Sequence, residues 1–200
     1  ASVTLKRCPK KSFSNRTKCF KKTKININWI NSETLEKDNV DLSKVFANTK
    51  GIIVPGGFGS RGVEGMIKAI EYARVNNIPF LGICLGMQLA TIEYARNVCG
   101  IKEANSTEFN PVCLHPVIDL MSYQKSVINM GGTLRLGNYE CTITENTLAY
   151  RCYEQDKIQE RHRHRYEFNN EYIAIDTDTI KGAVIDPTIS VTLNADYILK

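Results

Sequence analysis

A cysteine stands between two glycines in the stretch LGICLGMQLA, residues 81–90. Cys84 follows an apolar run typical of a buried strand and precedes a run typical of a helix. A sharp strand-to-helix turn would lift the thiol out of the sheet, and Gly82 and Gly86 would leave room for its strained backbone. The positive end of the helix should lower the pKa of the Cys84 thiol. Taken alone, this pattern fits a nucleophile and a buried core cysteine equally well; together with the glycine-rich loop one predicted strand and helix earlier, it favours the nucleophile.

A glycine-rich loop precedes this motif by one predicted strand and one predicted helix. Residues 57–62 read Gly-Phe-Gly-Ser-Arg-Gly and match G-x-G-x-x-G. A dinucleotide site of that type also needs an acidic residue at the end of the next strand, where this chain has Cys84 instead. We therefore interpret the loop as one whose backbone N–H groups can approach a ligand closely, because glycine has no Cβ. The N–H groups of Gly57 and Leu85 could together stabilise an oxyanion.

Along the first half of the chain, apolar runs typical of strands alternate with segments whose apolar residues recur at helical spacing. We predict strands at 24–30, 51–55 and 79–83, a short helix within 31–46, and helices at 63–75 and 85–98. Further strands are predicted at 131–139 and 161–168. This alternation of strands and helices indicates a three-layer, doubly wound α/β fold with a mostly parallel sheet, of the flavodoxin-like type. In such sheets ligands bind at the carboxyl ends of the strands, where both glycine-rich loops lie.

Composition excludes several classes of protein. With 200 residues and a net charge of +5, the chain can form one sizeable domain. Its basic clusters, between Lys6 and Lys24 and at 161–165, are not interleaved with aromatic residues in the way that base stacking needs, so we expect a solvated face and no nucleic-acid partner. The seven cysteines, an odd number, and the missing signal peptide predict free thiols in the cytoplasm. The longest mostly apolar stretch, 78–92, is too short to cross a membrane.

The two loops PGGFGSRG and GICLGMQ resemble those of the class I glutamine amidotransferases. With NSTEF, MGGTLRLG and ERHRHRYEFN, the stretch 28–170 is similar to the glutaminase domain of CTP synthases. The resemblance divides the chain into an incomplete basic segment (1–27), an amidotransferase domain (28–170) and a divergent tail (171–200). It implies a class I amidotransferase fold.

The resemblance also implies a role for each site residue. Cys84 would attack the side-chain amide of glutamine, with Gly57 and Leu85 as the oxyanion hole. Glu108 would bind the α-ammonium and Arg165 the α-carboxylate of the substrate. The full substrate-binding set would be Gly57, Leu85, Gly86, Met87, Gln88, Glu108 and Arg165. Taken without the family, Glu108 and Arg165 could equally form surface ion pairs.

Other implications concern cofactors and partners. Glutamine hydrolysis would need no cofactor and no metal, whereas Mg-ATP would serve the synthase domain. That domain would be the partner, and the full enzyme would be a homo-oligomer.

A histidine and a glutamate in an H-P-E motif near the C-terminus complete the family's triad. This chain has three histidines, at 115, 162 and 164. His115 is followed by proline but then by Val117, and no H-P-E occurs between Tyr172 and Lys200. We therefore expect a chain truncated at both ends. Two alternatives remain: an incomplete pseudoenzyme or binding fragment, and a cysteine hydrolase of another substrate, which would need a base too.

Overall fold

The computed structural model describes residues 2–4, 27–121, 124, 135–146 and 148–172. The basic stretch 5–26, most of the segment 122–134 and the tail 173–200 lie outside the described residues. In chain order the labelled elements are β1 (Ser2–Thr4), β2 (Trp29–Asn31), α1 (Ser32–Leu35), α2 (Leu42–Val45), β3 (Ile52–Val54), α3 (Val63–Val75), β4 (Phe80–Gly82), α4 (Leu85–Asn97), β5 (Ala104–Ser106), β6 (His115–Asp119), β7 (Arg135–Thr142), β8 (Lys157–His164) and β9 (Glu167–Phe168). A short helix, Leu148–Tyr153, separates β7 from β8, and a single 3₁₀ turn, Asn170–Tyr172, follows β9. The predicted α/β class is confirmed.

The described strands form three sheets, and two of these sheets are mixed. The first has the order β2-β1-β3-β4, with β1 antiparallel to both neighbours and β3 parallel to β4. The second has the order β5-β6-β9, with β5 parallel and β9 antiparallel to β6. The third is the antiparallel pair β7 and β8. The parallel pairing of β3 with β4 follows from the crossover helix α3 that connects them.

Helix α3 has the bounds that its apolar spacing predicts. Its buried residues include Met66, Ile67, Ile70 and Ala73, all at most 5% exposed. It begins after Gly62, whose φ of 72° suits glycine. The single short helix predicted upstream is instead two helical turns, capped by the side chains of Asn31 and Asp41.

Helix α4 is buried on almost all sides. We predicted one apolar face containing Leu89 and Ile92, but Gln88, Thr91 and Glu93 are buried as well. The helix packs against α3 and against strands of both mixed sheets. It is therefore the central element of the domain, and its first turn carries the residues that follow Cys84.

The predicted strand 161–168 is interrupted. Strand β8 ends at His164 and pairs with β7, whereas β9 begins at Glu167 and pairs with β6. Arg165 and Tyr166 form the junction between these two sheets. Charged residues alternate with histidine or aromatic residues throughout RHRHRYEF, so the sequence alone gives no sign of this break.

The described residues pack into two hydrophobic cores. The larger contains the fully buried side chains of α3, α4, β3 and β6. The smaller core consists of Cys141 on β7, Ile143 directly after β7 and Ile158 on β8. Tyr150 and Tyr153 pack against it. Among the described helices, none combines the length and the apolar character that a membrane crossing requires.

Candidate active site

The strained strand-to-helix turn predicted at Cys84 is present. Cys84 has φ 54° and ψ −106°, a backbone conformation that costs a non-glycine residue free energy. A Cβ on Gly82 would lie 2.6 Å from the carbonyl of Gly86, and a Cβ on Gly86 would overlap the carbonyl oxygen of Val54. Gly82 is therefore required by the close approach of β4 to the first turn of α4, and Gly86 by the close approach of that turn to β3.

The environment of the Cys84 sulfur contradicts our expectation for its acidity. Burial raises the pKa of this thiol, and the N–H groups of Leu85 and Gly57 only partly offset that effect. The negative charges of Glu108 and Glu167 raise the pKa further. Because desolvation outweighs the hydrogen bonds from these two N–H groups, the pKa of the Cys84 thiol lies above its ordinary value.

Two backbone N–H groups converge on the Cys84 sulfur. They belong to Leu85, the first residue of α4, and to Gly57, in the loop after β3. That loop packs directly on the turn, since a Cβ on Gly56 would lie 3.3 Å from the Cβ of Cys84. Such a pair of donors can stabilise an anion that forms beside the sulfur.

Glu108 connects the glycine-rich loop to the segment after β5. Its Oε1 accepts a hydrogen bond of 2.9 Å from the N–H of Gly59, which has a φ of 81°. Its own N–H donates to the hydroxyl of Ser106 over 3.1 Å. The charge of Glu108 acts on the pKa of both Cys84 and Tyr166, so the three groups share one region.

Gln88 lies one helical turn after Cys84 and is 3% exposed. Its Nε2 donates to the carbonyl oxygen of Tyr166 over 2.9 Å. Its Oε1 is buried and accepts no hydrogen bond from the described residues. A buried acceptor of this kind is costly unless a donor reaches it, so it suits a ligand with an N–H group.

Arg165 is half-buried at the junction between β8 and β9. Burial, followed by the charge of Glu108, raises the pKa of the neighbouring Tyr166, and the Arg165 guanidinium opposes this shift. Arg165 and Glu108 therefore both act on the pKa of the Tyr166 phenol, and Glu108 also acts on the pKa of Cys84.

Gly86 and Met87 complete the first turn of α4. Met87 is 7% exposed, and its carbonyl accepts a hydrogen bond from the Thr91 hydroxyl over 3.2 Å. Both residues lie beside the Cys84 turn.

A buried histidine–glutamate pair lies next to Arg165 and was missed from the sequence. His164 Nδ1 is 2.9 Å from Glu167 Oε1, and these residues are 4% and 1% exposed. His115, on β6, lies instead against Tyr172, with 3.4 Å between its Nδ1 and the phenolic oxygen. The signal that could have indicated the pair is its spacing of three residues across a turn.

The described part of the chain contains neither a metal-binding cluster nor a disulfide. Within these ranges no group of three or more His, Cys, Asp or Glu side chains could hold a metal ion. The cysteines whose side chains are described, Cys84, Cys99, Cys113 and Cys141, form no disulfide with one another.

Comparison with known proteins gives the family of this fold and site. The profile of the family "Glutamine amidotransferase class-I" matches residues 10–187. The chain belongs to this family. The amidotransferase fold is shared with the glutaminase domain of Trypanosoma brucei CTPS with bound acivicin, with a TM-score of 0.72 and 34% identity. That match covers 88% of this amidotransferase chain and 64% of the T. brucei chain.

Curated relatives of this amidotransferase are CTP synthases. The chain is 55% identical over 166 residues to the CTP synthase of Caldanaerobacter subterraneus subsp. tengcongensis, covering 83% of this chain and 30% of that protein. It is 60% identical over 151 residues to the CTP synthase of Geobacillus kaustophilus, covering 75% of this chain and 28% of that protein. The chain thus spans less than a third of the length of these relatives.

Proposed function

We propose that this chain is the glutaminase module of a CTP synthase, which hydrolyses glutamine to glutamate and ammonia. The observation that carries the proposal is the Cys84 thiol, held on a strained turn with the N–H groups of Gly57 and Leu85 directed at its sulfur. The identity to CTP synthases selects this module from the other amidotransferases.

The reaction begins with addition of the Cys84 sulfur to the side-chain carbonyl carbon of glutamine. The carbonyl oxygen becomes an oxyanion, which the N–H groups of Gly57 and Leu85 stabilise. The carbon–nitrogen bond then breaks, the nitrogen takes up the proton that the Cys84 thiol releases when its sulfur adds, and ammonia leaves while a thioester remains. Water attacks this thioester, the carbon–sulfur bond breaks, and glutamate leaves while the thiol is restored.

Recognition of the substrate follows from the charges around the thiol. Glu108 is the partner for the α-ammonium group, and Arg165 is the partner for the α-carboxylate, which a guanidinium binds through two hydrogen bonds. The buried Oε1 of Gln88 is an acceptor for an N–H group of the substrate. Gly86 and Met87, in the first turn of α4, complete the proposed substrate-binding set.

The ammonia would pass to a synthase domain that aminates UTP with Mg-ATP. Hydrolysis of glutamine itself uses no metal or cofactor in this proposal. We expect the whole enzyme to be a cytoplasmic homo-oligomer that binds neither nucleic acid nor membranes.

Ammonia release from glutamine by the purified chain tests the proposal. Release should depend on Cys84 and fall to background in Cys84→Ser, because serine is a far weaker nucleophile without a strong base. Cys113→Ser, at a half-buried cysteine outside the site, is the matched control and should retain activity. Equal release by the unmodified chain and by Cys84→Ser would contradict the proposed function.

A second candidate is a binding module that holds glutamine without turning it over. The contacts of the two described histidine side chains favour this candidate. His164 pairs with Glu167 and His115 lies against Tyr172, so both histidines are engaged with other residues. A nucleophile without its base loses most of its rate. Saturable glutamine binding combined with background ammonia release would select this function over the glutaminase.

A further inference from the structure

Two buried glutamines donate hydrogen bonds to the backbone of the β8–β9 junction, which contains Arg165 and Tyr166. Gln124 donates from Nε2 to the carbonyl oxygen of Arg165 over 2.9 Å, and Gln88 donates to the carbonyl oxygen of Tyr166 over the same distance. These two side chains are 1% and 3% exposed. Buried carbonyls without a donor are costly, so each amide fixes the carbonyl that it contacts.

Gln124 is itself held in a closed arrangement with Met121. Its Oε1 accepts the N–H of Met121 over 2.7 Å, and its own N–H donates to the carbonyl of Met121 over 2.8 Å. The oxygen and the nitrogen of the Gln124 side-chain amide therefore both form hydrogen bonds. Such an amide cannot rotate without losing two hydrogen bonds, so its donor is fixed relative to β6.

The junction needs a support of this kind because it connects two different sheets. β8 pairs with β7, and β9 pairs with β6, so neither ladder extends through Arg165 and Tyr166. The His164–Glu167 pair closes the base of the turn through its side chains, whereas the donor to the Arg165 carbonyl comes from Gln124. The position of the Arg165 backbone thus depends on the donor that Gln124 supplies.

We propose that Gln124 is a positioning residue for substrate recognition, which fixes the Arg165 backbone so that the guanidinium meets the α-carboxylate of glutamine. This inference rests on the proposed function, because it assumes that Arg165 binds that carboxylate. In this proposal Gln124 acts through the Arg165 backbone, to which it donates a hydrogen bond. Loss of its donor should weaken recognition of the carboxylate and leave the reactivity of Cys84 unchanged.

The test compares two thiol-reactive diazoketone analogues of L-glutamine, one with a free α-carboxylate and one with a methyl ester in its place. The rate of Cys84 labelling is measured by mass spectrometry as a function of analogue concentration. The unmodified chain should prefer the acid. In Gln124→Glu, the labelling efficiency of the acid should fall about tenfold, equivalent to about 1.4 kcal/mol, while the ester and iodoacetamide change less than twofold.

Gln124→Glu is chosen because it is nearly isosteric and keeps the oxygen that accepts the Met121 N–H, but a carboxylate cannot donate to the Arg165 carbonyl. Gln124→Leu, which removes both hydrogen bonds, should show the same selective loss. Gln159→Glu, at an exposed glutamine on β8, is the matched control and should behave like the unmodified chain.

The outcomes separate this inference from the proposed function. A loss that is equal for acid, ester and iodoacetamide in the Gln124 variants would show a general structural role and overturn the inference, as would no loss at all. Arg165→Leu should remove the preference for the acid. If it does so while Gln124→Glu keeps the preference, only the inference about Gln124 is wrong. If the unmodified chain shows no preference for the acid, the proposed binding mode is wrong and the inference falls with it.

Discussion

At the scale of single residues, the sequence predicts the shape of the Cys84 turn but not the acidity of its thiol. The glycines at 82 and 86 indicate a close approach of backbones, and the structure has such an approach between Gly86 and Val54. Acidity depends on how much water reaches the sulfur and on charges distant in sequence, such as Glu108 and Glu167. A motif contains neither quantity, so the expected lowering of the pKa was wrong.

The raised pKa of Cys84 predicts the pH profile of its alkylation. A group with a raised pKa carries less thiolate at neutral pH, so the rate should still be rising where an unstructured cysteine peptide has reached its plateau. Glu108→Gln removes a negative charge near the sulfur and should move the inflection to lower pH. The measurement is iodoacetamide labelling of the Cys84 peptide across pH, by mass spectrometry. An inflection at or below that of the reference peptide would contradict this account.

The packing of the turn predicts a large effect of one added methyl group. In Gly86→Ala the new Cβ would overlap the carbonyl oxygen of Val54, and a backbone atom of a central strand cannot move aside easily. We expect a loss of at least about 2 kcal/mol in the free energy of unfolding, measured with urea. Gly57→Ala is the control: its Cβ would meet only a methyl group of Leu85, at 3.2 Å, and should cost less than about 1 kcal/mol. Equal losses in the two variants would argue against the contact with Val54 as the cause.

At the scale of elements, periodicity predicts helix α3 and the existence of α4, but not the surroundings of α4. A one-sided apolar pattern indicates a helix with one partner, whereas α4 has partners on almost all sides and buries Glu93. The break at Arg165 is also invisible to periodicity, because alternation continues through residues 161–168. It arises from pairing with β6, a strand far away in the sequence.

The buried carboxylate of Glu93 predicts a strong coupling between α3 and α4. Its two oxygens share the N–H of Arg74 Nε, at 2.9 and 3.0 Å, and its Oε1 also accepts from Arg74 Nη2 over 2.5 Å and from Asn97 Nδ2 over 3.1 Å. Arg74→Met leaves a buried charge without its main partner and should cost about 3–5 kcal/mol in unfolding free energy. The double variant with Glu93→Leu should recover most of this loss, because the charge is then absent too.

Urea unfolding of the single and double variants checks this coupling. Arg61→Ala breaks the exposed pair of Arg61 with Glu33, whose side chains are 78% and 41% exposed, and should change stability within error. A double variant no more stable than Arg74→Met would mean that the ion pair is not the reason for the loss.

At the scale of the whole molecule, the site exists only because separate parts of the fold meet. The loop after β3 and the start of α4 contact the Cys84 turn, and the charges of Glu108, after β5, and of Glu167, at the start of β9, act on its thiol. The sequence motifs indicate which residues belong to the site, and the resemblance gives their roles. Neither the motifs nor the resemblance indicates the contacts that hold the junction at Arg165. The hydrogen bond from Gln124 joins segments distant in sequence, and the His164–Glu167 pair forms across a turn that the alternation does not predict.

The central claim is that Cys84 lies in a pocket that recognises glutamine. The most direct measurement is saturable labelling of Cys84 by the diazoketone analogue of L-glutamine, with and without L-glutamine or D-glutamine as competitor. We expect one adduct per chain on the Cys84 peptide, protected by L-glutamine and hardly by D-glutamine, because the proposed partners Glu108 and Arg165 would recognise a fixed arrangement of ammonium and carboxylate. Labelling of several cysteines at similar rates, without protection by L-glutamine, would contradict it.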